Sequence, residues 1–93
     1  MSNYELVFIV SPEVTEEEVP NTIDKVGEFV AKIGGSITEV NQWGKRRMAY
    51  SIKRFTEGIY VLAKLEMEPS SAKDLEANLW RFDDILRHLL IRL

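Results

Sequence analysis

The stretch Ile59-Tyr60-Val61-Leu62-Ala63-Lys64-Leu65-Glu66-Met67 decides how the rest of the chain is read. Ile59, Val61, Ala63, Leu65 and Met67 are all apolar, whereas Tyr60, Leu62, Lys64 and Glu66 between them are mixed. A period of two predicts a strand with one face in a core and the other differently employed. Pro69-Ser70-Ser71 follows and opens a helix bearing Ala72, Leu75 and Leu79. Asp83-Asp84 reads as a turn, and His88–Leu93 as a last short strand.

Upstream, Ile37–Trp43 and Met48–Ile52 read as parts of one strand, bulged around Gly44. Before it, Val19, Ile23, Val26, Val30 and Ile33 fall on one face of a helix that Gly34-Gly35 stops. Two starts are open for this helix. Thr15 with Glu18 forms a capping-box pattern, with Val14 and Val19 spaced as a hydrophobic staple. Pro20, tolerated only in a first turn, favours a start near Val19. Tyr4–Val10 is a first strand that Ser11-Pro12 ends. The order is strand-helix-strand-strand-helix-strand. That predicts an α+β fold, the ferredoxin-like split β-α-β arrangement: one domain over 1–93, an antiparallel sheet and two helices on one face.

Such a sheet has an uncovered face. With Leu6, Phe8, Val61, Ala63 and Leu65 in the core, that face carries Val7, Ile9, Tyr60, Leu62 and, on this reading, Leu90. Each alone is an ordinary surface hydrophobic. Together they predict a docking surface for protein.

The 93 residues carry a formal charge of -3 and no cysteine. There is no disulfide framework and no thiolate chemistry, which fits the cytosol. Leu6–Val10 is too short, and too poor in flanking cations, for a signal peptide or membrane span. Charge is unevenly spread. Between Trp43 and Lys64 stand six basic residues, Lys45, Arg46, Arg47, Lys53, Arg54 and Lys64, against the single acid Glu57. Residues 1–42 hold eight acids and only Lys25 and Lys32 as bases. A cationic segment on an acidic chain points to an anionic partner met at one place. Arg46 and Arg47 carry most weight, because guanidinium groups grip phosphate bidentately. On composition alone, a solvated hairpin explains the run equally well.

The segment Gly44-Lys45-Arg46-Arg47-Met48-Ala49-Tyr50-Ser51-Ile52-Lys53 resembles the signature of the bacterial small-subunit ribosomal protein six family. That signature is a glycine, any residue, two polar or basic residues, Leu, a small residue, Tyr, any residue, Ile and a basic or small residue. Met48 replaces the usual Leu, a volume-conserving exchange. Tyr4-Glu5, Ser11-Pro12, Trp43, Gly58 and Glu66-Met67 also fall where the family has such residues. Many members continue into a polar tail beyond the last strand; this sequence ends at Leu93, so functions attributed to such a tail are not carried over to it.

The resemblance implies a structural, non-enzymatic constituent of the small ribosomal subunit, cytoplasmic on the ribosome. It implies binding to the central domain of small-subunit (16S) ribosomal RNA as a heterodimer with the small basic ribosomal protein eighteen. RNA contact is then expected from Lys45, Arg46, Arg47, Lys53 and Arg54, and partner contact from Val7, Ile9, Trp43, Tyr60 and Leu62. No cofactor, metal, membrane or small-molecule substrate is expected. An acidic protein attracts a basic companion and leaves to it most of the phosphate contacts.

The remaining residues have plainer readings. Tyr50 shares parity with Met48 and Ile52, so packing is favoured over base stacking. Trp43 reads as hairpin core or interface anchor. His88, the only histidine, has no second histidine or cysteine with which to hold a metal. Glu16, Glu17 and Glu18 favour the positive end of a helix. Arg81, Arg87, His88 and Arg92 form a looser basic group. No nucleophile–base pair assembles around a lone histidine, so catalysis finds no support. The fold also hosts ligand sensors and single-strand RNA binders. The latter need aromatics on the same face of the first and third strands, and Phe8 has core parity while Tyr60 does not.

Overall fold

A computed structural model describes residues 1–93. The elements are β1 (Ser2–Val10), α1 (Val19–Lys32), β2 (Ser36–Ile52), β3 (Phe55–Met67), α2 (Ala72–Leu79) and β4 (Ile85–Arg92), with a 3-10 turn at Pro69–Ser71 leading into α2. All neighbouring strands are antiparallel, in the order β2-β3-β1-β4. The split β-α-β order read from the sequence is the one observed.

Register decides which residues form the core. β1 meets β3 through Tyr4↔Leu65, Leu6↔Ala63 and Phe8↔Val61, and all six side chains are buried. Val19, Val26 and Val30 of α1 and Leu75 and Leu79 of α2 complete the same cluster. Both helices therefore cover one face of the sheet. Each large side chain sealed there contributes about 1.5–3 kcal/mol.

The helix start is settled by Pro20. Had α1 begun at the Thr15 capping box, the proline ring would have fallen inside the helix and displaced a backbone hydrogen bond. Instead the amides of Glu18 and Val19 bond to the Thr15 carbonyl in a separate turn, Glu18 stands at the N-cap without a side-chain bond, and α1 starts at Val19. Val14 and Val19 are still both buried in the core cluster. At the other end, Gly34 turns left-handed at φ 87°. Its amide bonds to Ala31 O at 3.1 Å, and that of Gly35 to Val30 O at 2.8 Å. These are the paired bonds of a Schellman stop, which satisfy the last carbonyls of the helix.

Two readings of the last strand need correction. The last strand begins at Ile85, not His88, because Ile85 and Arg87 already pair with Val10 and Ile9. Leu90 lies opposite Leu6 and packs on the core, so it is absent from the uncovered face. Its neighbours Leu89 and Ile91, 57% and 41% exposed, take that place.

Candidate nucleic-acid and protein interface

The five candidate RNA-binding residues lie on one structure, the hairpin arm made by the distal halves of β2 and β3. Lys45, Arg46, Arg47, Lys53 and Arg54 are all exposed, and none takes part in an internal salt bridge. Arg46 stands opposite the buried Gly58, and Arg47 opposite Glu57. Adjacent strand residues point to opposite sides, so the two arginines cannot serve the same surface. Arg46 shares the uncovered face, whereas Lys45, opposite the core residue Ile59, looks the other way.

Two irregularities shape the arm. Gln42 pairs with Val61 and Gly44 with Tyr60, so Trp43 is the extra residue of a bulge, with Gly44 at φ 81°. This is the bulge expected at Gly44, and it leaves Trp43 47% exposed. Further out, Arg47 pairs with Glu57 and Ile52 next with Phe55. Five steps along β2 therefore match two along β3, so β2 carries three surplus residues within the unpaired stretch Met48–Ser51. Lys53 and Arg54 form the two-residue tip, both left-handed at φ 48° and 68°. Tips of this kind favour Asn-Gly, so Lys-Arg gave no sequence signal for one. The Arg54 guanidinium lies 5.6 Å from the centre of the Phe55 ring.

The surplus is used. Met48 is buried against Ile9 and Leu86, with Ile52, Phe55 and Tyr60 packed around them. This second, smaller apolar cluster sits on the uncovered face and ties the arm to the sheet. Gly58 is what lets Ile9 reach it, since a Cβ there would run into Cγ2 of Ile9 and lie 3.7 Å from the Met48 sulfur.

The candidate partner-contact residues come together only in part. Val7 pairs with Leu62 and Ile9 with Tyr60, so four of the five form one block; Trp43 stands beyond it at the bulge. Ile9, however, is roofed by Met48 and only 8% exposed. Val7, Tyr60, Leu89 and the arm residues Met48 and Tyr50 line a groove of about 310 Å³ between arm and sheet. Tyr50 is not core, as parity suggested. It is 62% exposed, its hydroxyl accepts a hydrogen bond from Arg87, and the Arg87 guanidinium lies 5.9 Å from its ring centre.

The loose basic group does not assemble. Arg87 faces the groove, Arg92 donates to Ser2 Oγ at 3.0 Å, and His88 lies on the helix side, 3.7 Å from Glu76 and edge-on to Trp80. Sequence reasoning missed Leu86, Leu89 and the contact between Arg87 and Tyr50. The alternation of Leu89 and Ile91 was visible, but only the register of β4 on β1 says which face they take.

Over residues 3–92 the sequence matches the family described as Ribosomal protein S6. The chain belongs to the ribosomal protein S6 family. It is 42% identical over 92 residues to small ribosomal subunit protein bS6 of Desulforamulus reducens, covering 99% of this chain and 97% of that one. It is 40% identical over 93 residues to the bS6 of Moorella thermoacetica, covering 100% and 95%. The crystal structure of 30S ribosomal protein S6 from Thermotoga maritima superposes with a TM-score of 0.92 at 31% identity, covering 99% of this chain and 87% of that one. Membership makes this protein a structural constituent of the small ribosomal subunit and not an enzyme. No helix is long and apolar enough to cross a membrane.

Within this S6-family chain the signature Gly44–Lys53 is the distal half of β2 together with its tip. Gly44 makes the bulge, Met48 and Ile52 fasten the arm, Tyr50 meets Arg87, and Arg46, Arg47 and Lys53 remain free. The motif thus builds the arm as well as charging it.

Proposed function

We propose that this protein binds the central domain of small-subunit ribosomal RNA as a heterodimer with the small basic ribosomal protein eighteen, on the ribosome in the cytoplasm. One observation carries the RNA half of the reading: five exposed cations without internal ion pairs on one arm of an acidic protein. Cations kept free at the cost of mutual repulsion suit a phosphate-rich partner. The apolar block Val7, Tyr60, Leu62 and Leu89 supports the protein half, together with the acidic balance of residues 1–42, which attracts a basic companion.

The RNA contact is tested by salt titration of heterodimer affinity. Losing a phosphate-contacting cation lowers the log–log salt slope by about 0.7–0.9. Because Arg46 and Arg47 point apart, one of Arg46→Ala and Arg47→Ala should show this drop, with thermal stability almost unchanged. Lys32→Ala, at the exposed end of α1, is the control. If both variants match it in slope and affinity, the arm is a solvated hairpin.

The docking face has its own test. Leu62 is half-buried opposite Val7, outside the main core. Leu62→Glu should weaken heterodimer formation about tenfold or more, since a carboxylate forced into an apolar interface costs well over 1.4 kcal/mol. Circular dichroism should show it folded. Normal dimerisation by this variant counts against that face.

A further inference from the structure

Between the rungs Arg47↔Glu57 and Ile52↔Phe55, Met48–Ser51 have no regular ladder partners on β3, so side-chain contacts hold this part of the arm against the sheet. Two are present. One is the buried packing of Met48 on Ile9 and Leu86. The other, at the rim of the groove, joins Tyr50 of the arm to Arg87 of β4, through both a hydrogen bond and the face of the ring. In sequence the pair is 37 residues apart, and it links one edge strand to the other across the groove. Arg87 has no carboxylate partner and Tyr50 stays largely exposed, so the contact serves neither charge neutralisation nor core burial.

We propose that the Tyr50–Arg87 pair is a latch that fixes the arm over the sheet and thereby presents Arg46 and Arg47, making Arg87 a positioning residue and not itself a phosphate ligand. This rests on the reading of the arm as the RNA-facing element. The latch also sets the width of the groove, because Tyr50 and Arg87 both line it.

Amide hydrogen exchange of the free full-length protein tests the latch without RNA. In Tyr50→Phe and in Arg87→Gln, exchange across Lys45–Phe55 should rise about three- to tenfold, while amides of Leu6 and Val61 stay protected as before. The double variant should exchange no faster than Arg87→Gln, because both changes break one contact. Unchanged arm exchange in both single variants overturns the latch. Salt titration of heterodimer binding then tests positioning. Both variants should lose affinity with the slope unaltered. A slope lowered by about 0.7–0.9 in Arg87→Gln alone makes Arg87 a phosphate contact and overturns its positioning role. Full affinity in variants whose arm has loosened overturns it too. Failure of the underlying reading looks different: arm exchange responds as expected, yet neither Arg46→Ala nor Arg47→Ala affects RNA.

Discussion

Gly58→Val is expected to destabilise the protein by about 3 kcal/mol, towards the upper end for overpacking a well-filled site. Gly58 is buried in β3 opposite Arg46, and the space where its side chain would stand is already filled by Cγ2 of Ile9. Ile9 is β-branched and cannot swing aside without leaving its rotamer. The Met48 side chain closes the same space from above. In a domain of this size, where 1 kcal/mol moves the melting temperature by about 4–8 °C, the shift should be unmistakable in a thermal scan. Arg46→Ala, on the residue directly opposite, should barely move it. Adding Ile9→Ala to Gly58→Ala should cost less than the two changes summed, because the second removes the atom with which the first collides. Strict additivity would mean that Ile9 is not what Gly58 accommodates.

The same residues show where the sequence was legible. The alternation of Ile59–Met67 gave the core face of β3, and with it the parity of β1, because a strand buried on one face has a side-chain period of exactly two residues. Gly34-Gly35 was readable as a stop because few residues accept the left-handed conformation that a Schellman motif needs. Gly44 marked its bulge for a related reason. The helix start was half-legible: Thr15 and Glu18 pointed one way and Pro20 another, and the proline prevailed because its ring is a steric constraint while the cap is a modest hydrogen bond. What could not be read was non-local. Leu90 and Leu89 have the same local pattern in either register, and only pairing with Leu6 and Val7 assigns their faces. Tyr50 had the parity of a packed residue, but the three-residue register shift beyond Arg47 carries it to the rim of the groove. Arg87 has no local signal that separates it from other surface cations; its contact with Tyr50 spans 37 residues of sequence. The charge of the candidate interface was visible in the sequence; its geometry was not.

The second large effect concerns partnership. A chain with net charge -3 repels RNA at long range and offers phosphate only the cations of one arm, themselves divided between two sides of a strand. Few released counterions mean weak binding at physiological salt. A basic companion seated on the Val7–Leu62 face would add phosphate contacts of its own, so its contribution should exceed that of any single residue here. The direct measurement is the affinity for the central domain of small-subunit ribosomal RNA at physiological salt, with and without ribosomal protein eighteen. Alone, this protein should bind in the weak, sequence-independent range, and the companion should tighten binding by about 10²–10³-fold or more. Tight, sequence-specific binding by this chain alone, or no gain on adding the companion, would contradict the account.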